Sequence, residues 1–359
     1  MTVYLLAGGG TAGHVNPLLA LAQHLSEQEP DSQIIALGTR EGLESRLVPE
    51  RGFELHTIER LPFPRKPSGY ALRFPAKYRR AVGEVRKLIR SRGVDVVVGF
   101  GGYASSPAYR AAQLEQVPVV IHEANAKPGL ANRLGARKTE YVAVTFAGTP
   151  IPGARVTGTP LRREIEVLDR VAVRAEARAH FGLDPDRPTL LVTGGSQGAR
   201  AINRGISTSA AEIVNSGAQV LHIWGGLTEI EDPQLSGYQV IPYCDRMDLA
   251  FAACDLAVSR AGSATVSELA GLGIPAIFVP YSTGNGEQRL NAAGVVEAGG
   301  ALLVDDAELT AEWVRETLIP LLQDADRLAD MSERAAGAGS LRGTELLAEL
   351  VHEALQGRP

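Results

Sequence analysis

A glycine-rich loop near the start of the chain could support acid–base chemistry. The sequence Gly8-Gly9-Gly10-Thr11-Ala12-Gly13-His14 follows the apolar run Val3–Ala7, which is typical of a buried strand. Glycines allow a sharp turn and leave amides uncovered, and the N-terminus of the helix predicted over Leu18–Ser26 would attract an anion. Pro17 suits the first turn of that helix, where its missing N–H would be unbonded anyway. His14 is placed to act as a general base near neutral pH, with a capping or turn-lining role as the alternative.

The same loop also fits the pattern of dinucleotide-binding proteins, with Gly8, Gly10 and Gly13 at the required spacing. The second predicted strand, Gln33–Leu37, is followed by Gly38-Thr39 and lacks the acidic residue that would bind a ribose there. An NAD-dependent oxidoreductase is therefore an alternative that rests on this one loop.

Polar side chains follow two further predicted strands of the first half. Tyr103 lies in a second glycine loop, after the strand Val94–Val98, and His122-Glu123-Ala124-Asn125 ends the strand that begins at Val117. The carboxyl ends of parallel strands meet at one edge of a sheet, and that edge holds the ligand crevice. We therefore expect these side chains to line one polar pocket together with His14.

The second half repeats this arrangement and suggests a nucleotide-sugar site. A third glycine loop, Gly194–Arg200, opens a helix, and the segment Arg260–Glu268 opens another. Amides at such a helix N-terminus suit a diphosphate, and Glu268 could accept hydrogen bonds from both ribose hydroxyls unless it is a surface glutamate. Gln288 and Asn291 are three residues apart, so they share a helix face and can offer amides to sugar hydroxyls.

Strands alternate with helices along the whole chain, which predicts parallel sheets covered on both faces. The Gly- and Pro-containing segment Val156–Arg162 is typical of a linker. The sequence therefore predicts two Rossmann-like α/β domains, residues 1–158 and 159–340, that face each other across a cleft.

Composition narrows the class of protein. The chain has 359 residues, 45% of them hydrophobic, and a formal net charge of -5, which disfavours a general nucleic-acid binder. Cys244 and Cys254 fit no zinc-site spacing and are typical of a reducing cytosol. Asp184-Pro185-Asp186 precedes a strand and indicates a turn rather than a metal site. We expect no signal peptide, because Gly8-Gly9-Gly10 interrupts the first apolar run, and no membrane span, because no segment approaches the ~20 apolar residues required.

Residues 60–92, which we call the basic stretch, break the acidic pattern. They contain eleven Lys or Arg and one acid, Glu84. The interleaved apolar and aromatic residues are Leu61, Phe63, Tyr70, Leu72, Phe74 and Tyr78. This composition favours contact with an anionic membrane surface. Nucleic acid, or a solvated helix face with its aromatic side chains turned into the core, are the alternatives.

Taken in order, these motifs resemble the MurG family, the UDP-N-acetylglucosamine transferases of peptidoglycan synthesis. The segments that carry the resemblance are Gly8–His14, Gly101–Pro107, His122–Asn125, Gly194–Arg200, Arg260–Glu268 and Gln288–Asn291. The resemblance implies a GT-B glycosyltransferase fold whose C-terminal helix, about residues 341–359, returns to the first domain. It implies inverting transfer from UDP-N-acetylglucosamine to the C4 hydroxyl of lipid I, giving lipid II, without a metal or other cofactor. It further implies peripheral attachment to the cytoplasmic face of the cell membrane through the basic stretch, alongside other cell-wall enzymes.

The resemblance also assigns roles to residues of this chain. It implies His14 as the catalytic base with Glu123 as the competing candidate, and Tyr103 and Asn203 as acceptor residues. The donor residues that it implies are Thr11, Ala12, Gly13, Asn125, Arg162, Ser196, Cys244, Arg260, Ser263, Ala264, Thr265, Val266, Ser267, Glu268, Gln288 and Asn291. Ala12 replaces a glycine of the family pattern, and Cys244 replaces a larger aliphatic residue. Another UDP-sugar transferase, or a UDP-N-acetylglucosamine epimerase of the same fold, is the main alternative.

Overall fold

The computed structural model describes residues 1–64, 66–195, 199–226, 231–281 and 285–357. The chain divides into two compact units. The N-terminal unit comprises residues 1–162 together with 342–359, and the C-terminal unit comprises residues 163–341.

The N-terminal unit is built on a seven-stranded parallel sheet in the order β3-β2-β1-β4-β5-β6-β7. The strands are β1 Val3–Ala7, β2 Gln33–Thr39, β3 Glu54–Ile58, β4 Val96–Gly99, β5 Val119–Glu123, β6 Val142–Val144 and β7 Arg155–Val156. Every residue of β1 is buried, as expected of a parallel strand that is covered on both faces. The predicted parallel α/β architecture is therefore confirmed for this unit.

Helices cover both faces of this sheet. They are α1 Ala12–Gln28, α2 Glu44–Glu50, α3 Gly69–Arg92, α4 Ser105–Leu114 and α5 Leu130–Gly135, with a 3-10 turn at Ala136–Lys138. Alternate residues of β1 point to opposite faces, so Leu5 belongs to one apolar cluster and Leu6 to the other. The loops at the sheet edge are thus held by a core on each side.

Helix α1 begins at Ala12 rather than at Leu18, so the predicted place of Pro17 in its first turn is wrong. Pro17 lies inside the helix. The glycines of the loop suggested a break, but the chain coils at once after Thr11, whose carbonyl accepts from the N–H groups of His14 and Val15. His14 consequently lies in the first turn of α1, where the backbone holds it more firmly than a loop would.

The C-terminal unit has a six-stranded parallel sheet in the order β10-β9-β8-β11-β12-β13. The strands are β8 Thr189–Thr193, β9 Gln219–Ile223, β10 Tyr238–Ile241, β11 Leu256–Ser259, β12 Ala276–Phe278 and β13 Ala301–Leu303. Strand β13 was not predicted from the sequence. The repeated strand–loop–helix plan expected of the second half is confirmed.

The helices of this unit are mostly short. They are α6 Arg163–Glu166, α7 Arg170–His180, α8 Arg200–Ser207, α9 Ala210–Asn215, α10 Met247–Ala253, α11 Ser263–Gly271, α12 Glu287–Glu297, α13 Ala311–Trp313, α14 Ile319–Gln323 and α15 Ala325–Ala338, with a π-helical turn at Val314–Leu318. The last helix, α16 (Gly343–Gln356), belongs to the N-terminal unit. Its residues Leu347, Leu350 and Val351 join the apolar cluster of Leu6, which confirms that the tail returns to the first domain.

In each sheet the strand order reverses beside the first strand, between β1 and β4 in one unit and between β8 and β11 in the other. Ligands of open α/β sheets bind beyond the strand ends at such a reversal. Among the described residues, no helix combines the length and the apolar character needed to cross a membrane.

Candidate functional site

In the N-terminal unit, the loops that follow β1 and β4 pack against each other at the strand-order reversal. A Cβ placed on Gly102 would lie 2.4 Å from the carbonyl oxygen of Gly9, so only glycine permits this approach. A Cβ on Gly101 would lie 3.1 Å from Nε2 of His14. The two glycine loops therefore form one surface, and His14 stands on it.

The imidazole of His14 contacts the loop that precedes α1. Its Nδ1 lies 3.0 Å from the carbonyl oxygen of Gly9 and 3.3 Å from the hydroxyl oxygen of Thr11. A carbonyl can only accept, so we assign the proton of the neutral ring to Nδ1. Nε2, on the side of Gly101, then keeps a lone pair.

Glu123, the last residue of β5, is buried and accepts three hydrogen bonds. The donors are the backbone N–H groups of Asn125 (3.0 Å) and Gly129 (2.9 Å) and the side-chain amide of Asn132 (2.9 Å). These bonds fold the segment after β5 around the carboxylate. Asn125 is half-buried beside it.

His122 does not line the pocket, contrary to the prediction. Successive residues of a strand point to opposite faces, and the ring of His122 is fully buried, with Nε2 donating to the carbonyl oxygen of Gly158 at 3.1 Å. Burial lowers the pKa of His122 to about 4, against a smaller opposing effect of the hydrogen bond to Gly158. His122 is thus a neutral interior residue.

Tyr103 lies at the edge of this surface and is half-buried. The guanidinium of Arg60, the second residue after β3, lies over the Tyr103 ring at 4.8 Å from its centroid. This contact holds the phenol ring beside a cation at the carboxyl edge of the sheet.

In the C-terminal unit, the loop after β11 opens helix α11 as predicted. Ser263, Ala264 and Thr265 form the first turn of that helix, next to the strand-order reversal. Their N–H groups lie at the positive end of the helix dipole, which suits a phosphate. Val266 and Ser267 are buried, and Glu268, one turn further along, is half-buried.

Arg260 organises the neighbouring strand end. Its Nη1 donates to the carbonyl oxygens of Val279 (2.9 Å) and Pro280 (3.2 Å) and pairs with Asp306 at 2.6 Å, while its guanidinium lies 5.5 Å from the ring centroid of Tyr281. The Nη1 side of the guanidinium is therefore occupied by contacts within the protein. Its predicted donor contact stays a prediction.

Gln288 and Asn291 lie on helix α12, and both bond to strand-end loops. Oε1 of Gln288 accepts from the N–H of Tyr281 at 2.9 Å, which leaves its amide N–H groups as the available donors. Nδ2 of buried Asn291 donates to the carbonyl oxygen of Ala261 at 3.3 Å. These bonds join the segments around Ala261, Tyr281 and Gln288 into one surface.

Asn203 lies on helix α8 with its amide in the interior. Nδ2 donates to the carbonyl oxygen of Trp224 at 3.0 Å, and Oδ1 lies 3.2 Å from Nε2 of His222, whose Nδ1 is 2.7 Å from the hydroxyl of Tyr238. Burial lowers the pKa of His222 to about 4 and raises the pKa of Tyr238. Sequence reasoning missed this buried polar chain, because nothing in the sequence pairs residues so far apart.

The remaining predicted donor residues are scattered along the chain. Cys244 is buried just after β10, and Arg162, the last residue before α6, is half-buried. Thr11 is exposed, and Ala12 and Gly13 are half-buried at the start of α1. Ser196 lies outside the described residues.

Comparison with known proteins identifies the family. Residues 4–144 match the glycosyltransferase family 28 N-terminal domain, and residues 189–347 match the C-terminal domain of that family. A protein of Clavibacter sepedonicus is 61% identical over 100% of this chain and 98% of its own length, and one of Streptomyces avermitilis is 51% identical over 99% of each. Both are named UDP-N-acetylglucosamine--N-acetylmuramyl-(pentapeptide) pyrophosphoryl-undecaprenol N-acetylglucosamine transferase. The chain belongs to the MurG family.

Solved structures agree with this membership. The crystal structure of Acinetobacter baumannii MurG superposes with a TM-score of 0.77 at 26% identity, covering 98% of this chain and 100% of that one. A UDP-GlcNAc 2-epimerase from Neisseria meningitidis superposes with a TM-score of 0.68 at 15% identity, over 98% and 100% of the two chains, and shares the fold alone. This MurG-family chain is a glycosyltransferase with two Rossmann-like domains of the GT-B type, as predicted, and the oxidoreductase alternative falls away.

Proposed function

We propose that this glycosyltransferase moves N-acetylglucosamine from UDP-N-acetylglucosamine to the C4 hydroxyl of lipid I, the undecaprenyl-diphosphate-linked N-acetylmuramoyl-pentapeptide, giving lipid II. The observation that carries the proposal is the 61% identity, over the full chain, to a transferase named for this donor and acceptor. In this proposal residues 1–158 and the returning tail bind acceptor and membrane, and residues 159–340 bind the UDP-sugar.

In this proposal His14 is the general base. Its Nδ1 is engaged by the carbonyl oxygen of Gly9, so Nε2 carries the lone pair that can take a proton from the acceptor hydroxyl. That oxygen attacks the anomeric carbon as UDP leaves from the opposite face, which inverts the configuration. The pairing of Nδ1 also stabilises the imidazolium that forms.

Glu123 suits this role less well. The Asn125, Gly129 and Asn132 nitrogens that donate to it stabilise the carboxylate and occupy its oxygen lone pairs. The oxygens of Glu123 are therefore turned to donors of its own unit rather than left open to an acceptor hydroxyl. We therefore assign Glu123 to positioning Asn125 and the segment that follows it.

For the donor, we propose that the first turn of α11 receives the diphosphate and that Glu268 accepts the ribose hydroxyls. The amide N–H groups of Gln288 would read the sugar, because its Oε1 is already bonded to the N–H of Tyr281. Negative charge grows on the diphosphate as the glycosidic bond breaks, and amides at a helix N-terminus stabilise that charge. The proposed reaction therefore requires no metal or other cofactor.

We further propose that the protein acts at the cytoplasmic face of the membrane through the start of the basic stretch. Leu72 on α3 is 85% exposed and Phe63 is 59% exposed, and the Phe63 ring packs edge-on against Phe74 at 5.6 Å between centroids. Several cations of the stretch are paired with acids inside the unit, namely Lys77, Arg80, Arg86, Arg90 and Arg92. Among the described residues, Arg73, one position beyond Leu72, belongs to none of these ion pairs, so its charge is available to anionic headgroups.

The experiment measures UDP release from UDP-N-acetylglucosamine in EDTA, with and without a short-chain lipid I analogue. We expect acceptor-dependent release by the wild type. His14→Ala should lower kcat by about 10²- to 10⁴-fold, which is the usual contribution of a general base. Donor affinity, measured by calorimetry, should not change.

His24→Ala is the matched control, since His24 lies on the same helix and is also half-buried. It should keep wild-type kcat. Donor binding without release in the presence of the lipid I analogue would contradict the proposed acceptor. Release that EDTA abolishes and Mg²⁺ restores would contradict the metal-independent mechanism.

A further inference from the structure

Glu44 is a buried carboxylate that the reaction scheme above does not use. It opens helix α2 and is 1% exposed. Its Oε1 accepts from the N–H (2.7 Å) and the hydroxyl (2.9 Å) of Thr39, and its Oε2 accepts from the N–H of Gly10 at 2.8 Å. These three donors are neutral, so the carboxylate is held by directed hydrogen bonds.

Three glycines make room for this side chain. A Cβ would lie 2.2 Å from Glu44 on Gly9, 2.3 Å from it on Gly38 and 2.0 Å from it on Gly42. Real Cβ atoms do not approach so closely, so a side chain at any of these three positions would displace the Glu44 carboxylate from its hydrogen bonds. The loop that precedes His14 is thus packed around Glu44.

One peptide group connects Glu44 to His14. The N–H of Gly10 and the C=O of Gly9 belong to the same peptide unit. The N–H donates to Glu44, and the C=O lies 3.0 Å from Nδ1 of His14. A carboxylate at the N–H end polarises the amide and makes its carbonyl oxygen a stronger acceptor.

We propose that Glu44 is a positioning residue for His14 and that it acts through the Gly9–Gly10 peptide. In other enzymes a carboxylate orients a catalytic histidine by bonding to its ring, whereas here one peptide group lies between the two side chains. During the reaction the acceptor hydroxyl gives its proton to Nε2 of His14. The imidazolium that results keeps its Nδ1–H on the Gly9 carbonyl. The inference rests on the proposed role of His14 as the base.

A second histidine and a neutral amide also lie near His14. The ring of His122, on β5, interacts electrostatically with it. Asn132, which binds Glu123, approaches the same glycine, Gly101, as Nε2 of His14 does. These groups are unchanged by substitution of Glu44, so its effect can be separated from theirs.

The test is Glu44→Gln in the full-length protein, with two readouts. The first is the pH dependence of kcat with UDP-N-acetylglucosamine and the lipid I analogue. Loss of the negative charge removes stabilisation of the imidazolium, so the acidic limb should move to lower pH by about 0.5 to 1 unit. The plateau kcat should fall by about two- to fivefold, with KM for the donor unchanged, because a base weakened by that amount transfers the proton less well.

The second readout is independent of the reaction. The NMR titration of the His14 ring should shift its midpoint in the same direction in Glu44→Gln, without any substrate present. If transfer is not observed with this acceptor but the midpoint moves, the positioning role of Glu44 is supported and the proposed function is wrong. If transfer is observed and the midpoint does not move, the positioning role of Glu44 is wrong.

Thr39→Val is the matched control. It removes one hydrogen bond to Glu44 in the same buried place but keeps the carboxylate and its bond to Gly10. We expect some loss of stability and no downward shift of the acidic limb. An equal shift in Thr39→Val and Glu44→Gln would show that loop packing, rather than the charge of Glu44, sets the behaviour of His14, and would overturn the proposal.

Discussion

At the scale of single residues, burial determines the pKa of two histidine side chains. His122 and His222 lie in different units, and burial lowers the pKa of each to about 4. An unfolded histidine titrates near pH ~6.5. Between these values the unfolded chain binds more protons than the folded one, so stability falls as the pH is lowered below about 6.5.

His222 permits a direct test in the C-terminal unit. Both tryptophans, Trp224 and Trp313, lie in that unit, so their fluorescence follows its urea unfolding. Between pH 7 and pH 5, we expect neutral His222 to account for a stability loss on the order of 2 kcal/mol. His222→Gln should remove that part of the pH dependence. Exposed His180, substituted in the same way, should leave it in place, and an unchanged slope in His222→Gln would contradict the assignment.

At this scale the sequence was sufficient to select candidate residues but not to predict their surroundings in the fold. The ordered motifs were sufficient to select His14 and the α11 segment, because strand ends are predictable. The burial of His122 and Asn203 could not be predicted, because the direction of a side chain depends on strand register and packing partners. Glu44 had no local signal at all, since its partner Gly10 is distant in sequence and meets it only across the β1–β2 pair.

At the scale of elements, α3 combines a structural and a surface role. Val85 and Leu88 are buried in the core, whereas Leu72 is almost fully exposed near the other end. Phe74 and Tyr78 pack against the same core, so part of the predicted aromatic surface is turned inward. The charge of the basic stretch was evident from the sequence, but the sequence could not separate inward from outward aromatic side chains.

Leu72→Asp tests the proposed membrane contact. It replaces an exposed apolar side chain by an anion beside Arg73, so co-sedimentation with vesicles of anionic phospholipid should fall about tenfold or more. Val171→Asp, at a residue that is 87% exposed in the C-terminal unit, is the matched control and should bind like wild type. Equal loss in both variants would indicate general repulsion by the vesicle rather than a docking site on α3.

At the scale of the whole molecule, alternation of strands and helices was sufficient to predict two parallel sheets. The order of the strands follows from right-handed crossovers and from each unit starting at a central strand. The return of α16 to the N-terminal unit was expected only from the resemblance, since its apolar spacing would suit either unit. Long-range packing of this kind is decided by which apolar face is left uncovered.

The tail therefore serves as a test of how the chain is divided. Leu350 on α16 is buried against the cluster that contains Leu6 and Leu18, so Leu350→Ala should destabilise the N-terminal unit by about 2–4 kcal/mol. Hydrogen exchange of β1 and β4 peptides should accelerate, while tryptophan fluorescence unfolding of the C-terminal unit stays unchanged. Glu349→Ala, exposed on the same helix, should change stability by less than about 0.5 kcal/mol. Only the core that covers Leu350 can lose its packing in this variant. Faster exchange in β8 and β11 peptides, instead of β1 and β4 peptides, would therefore show that α16 does not pack on the N-terminal unit.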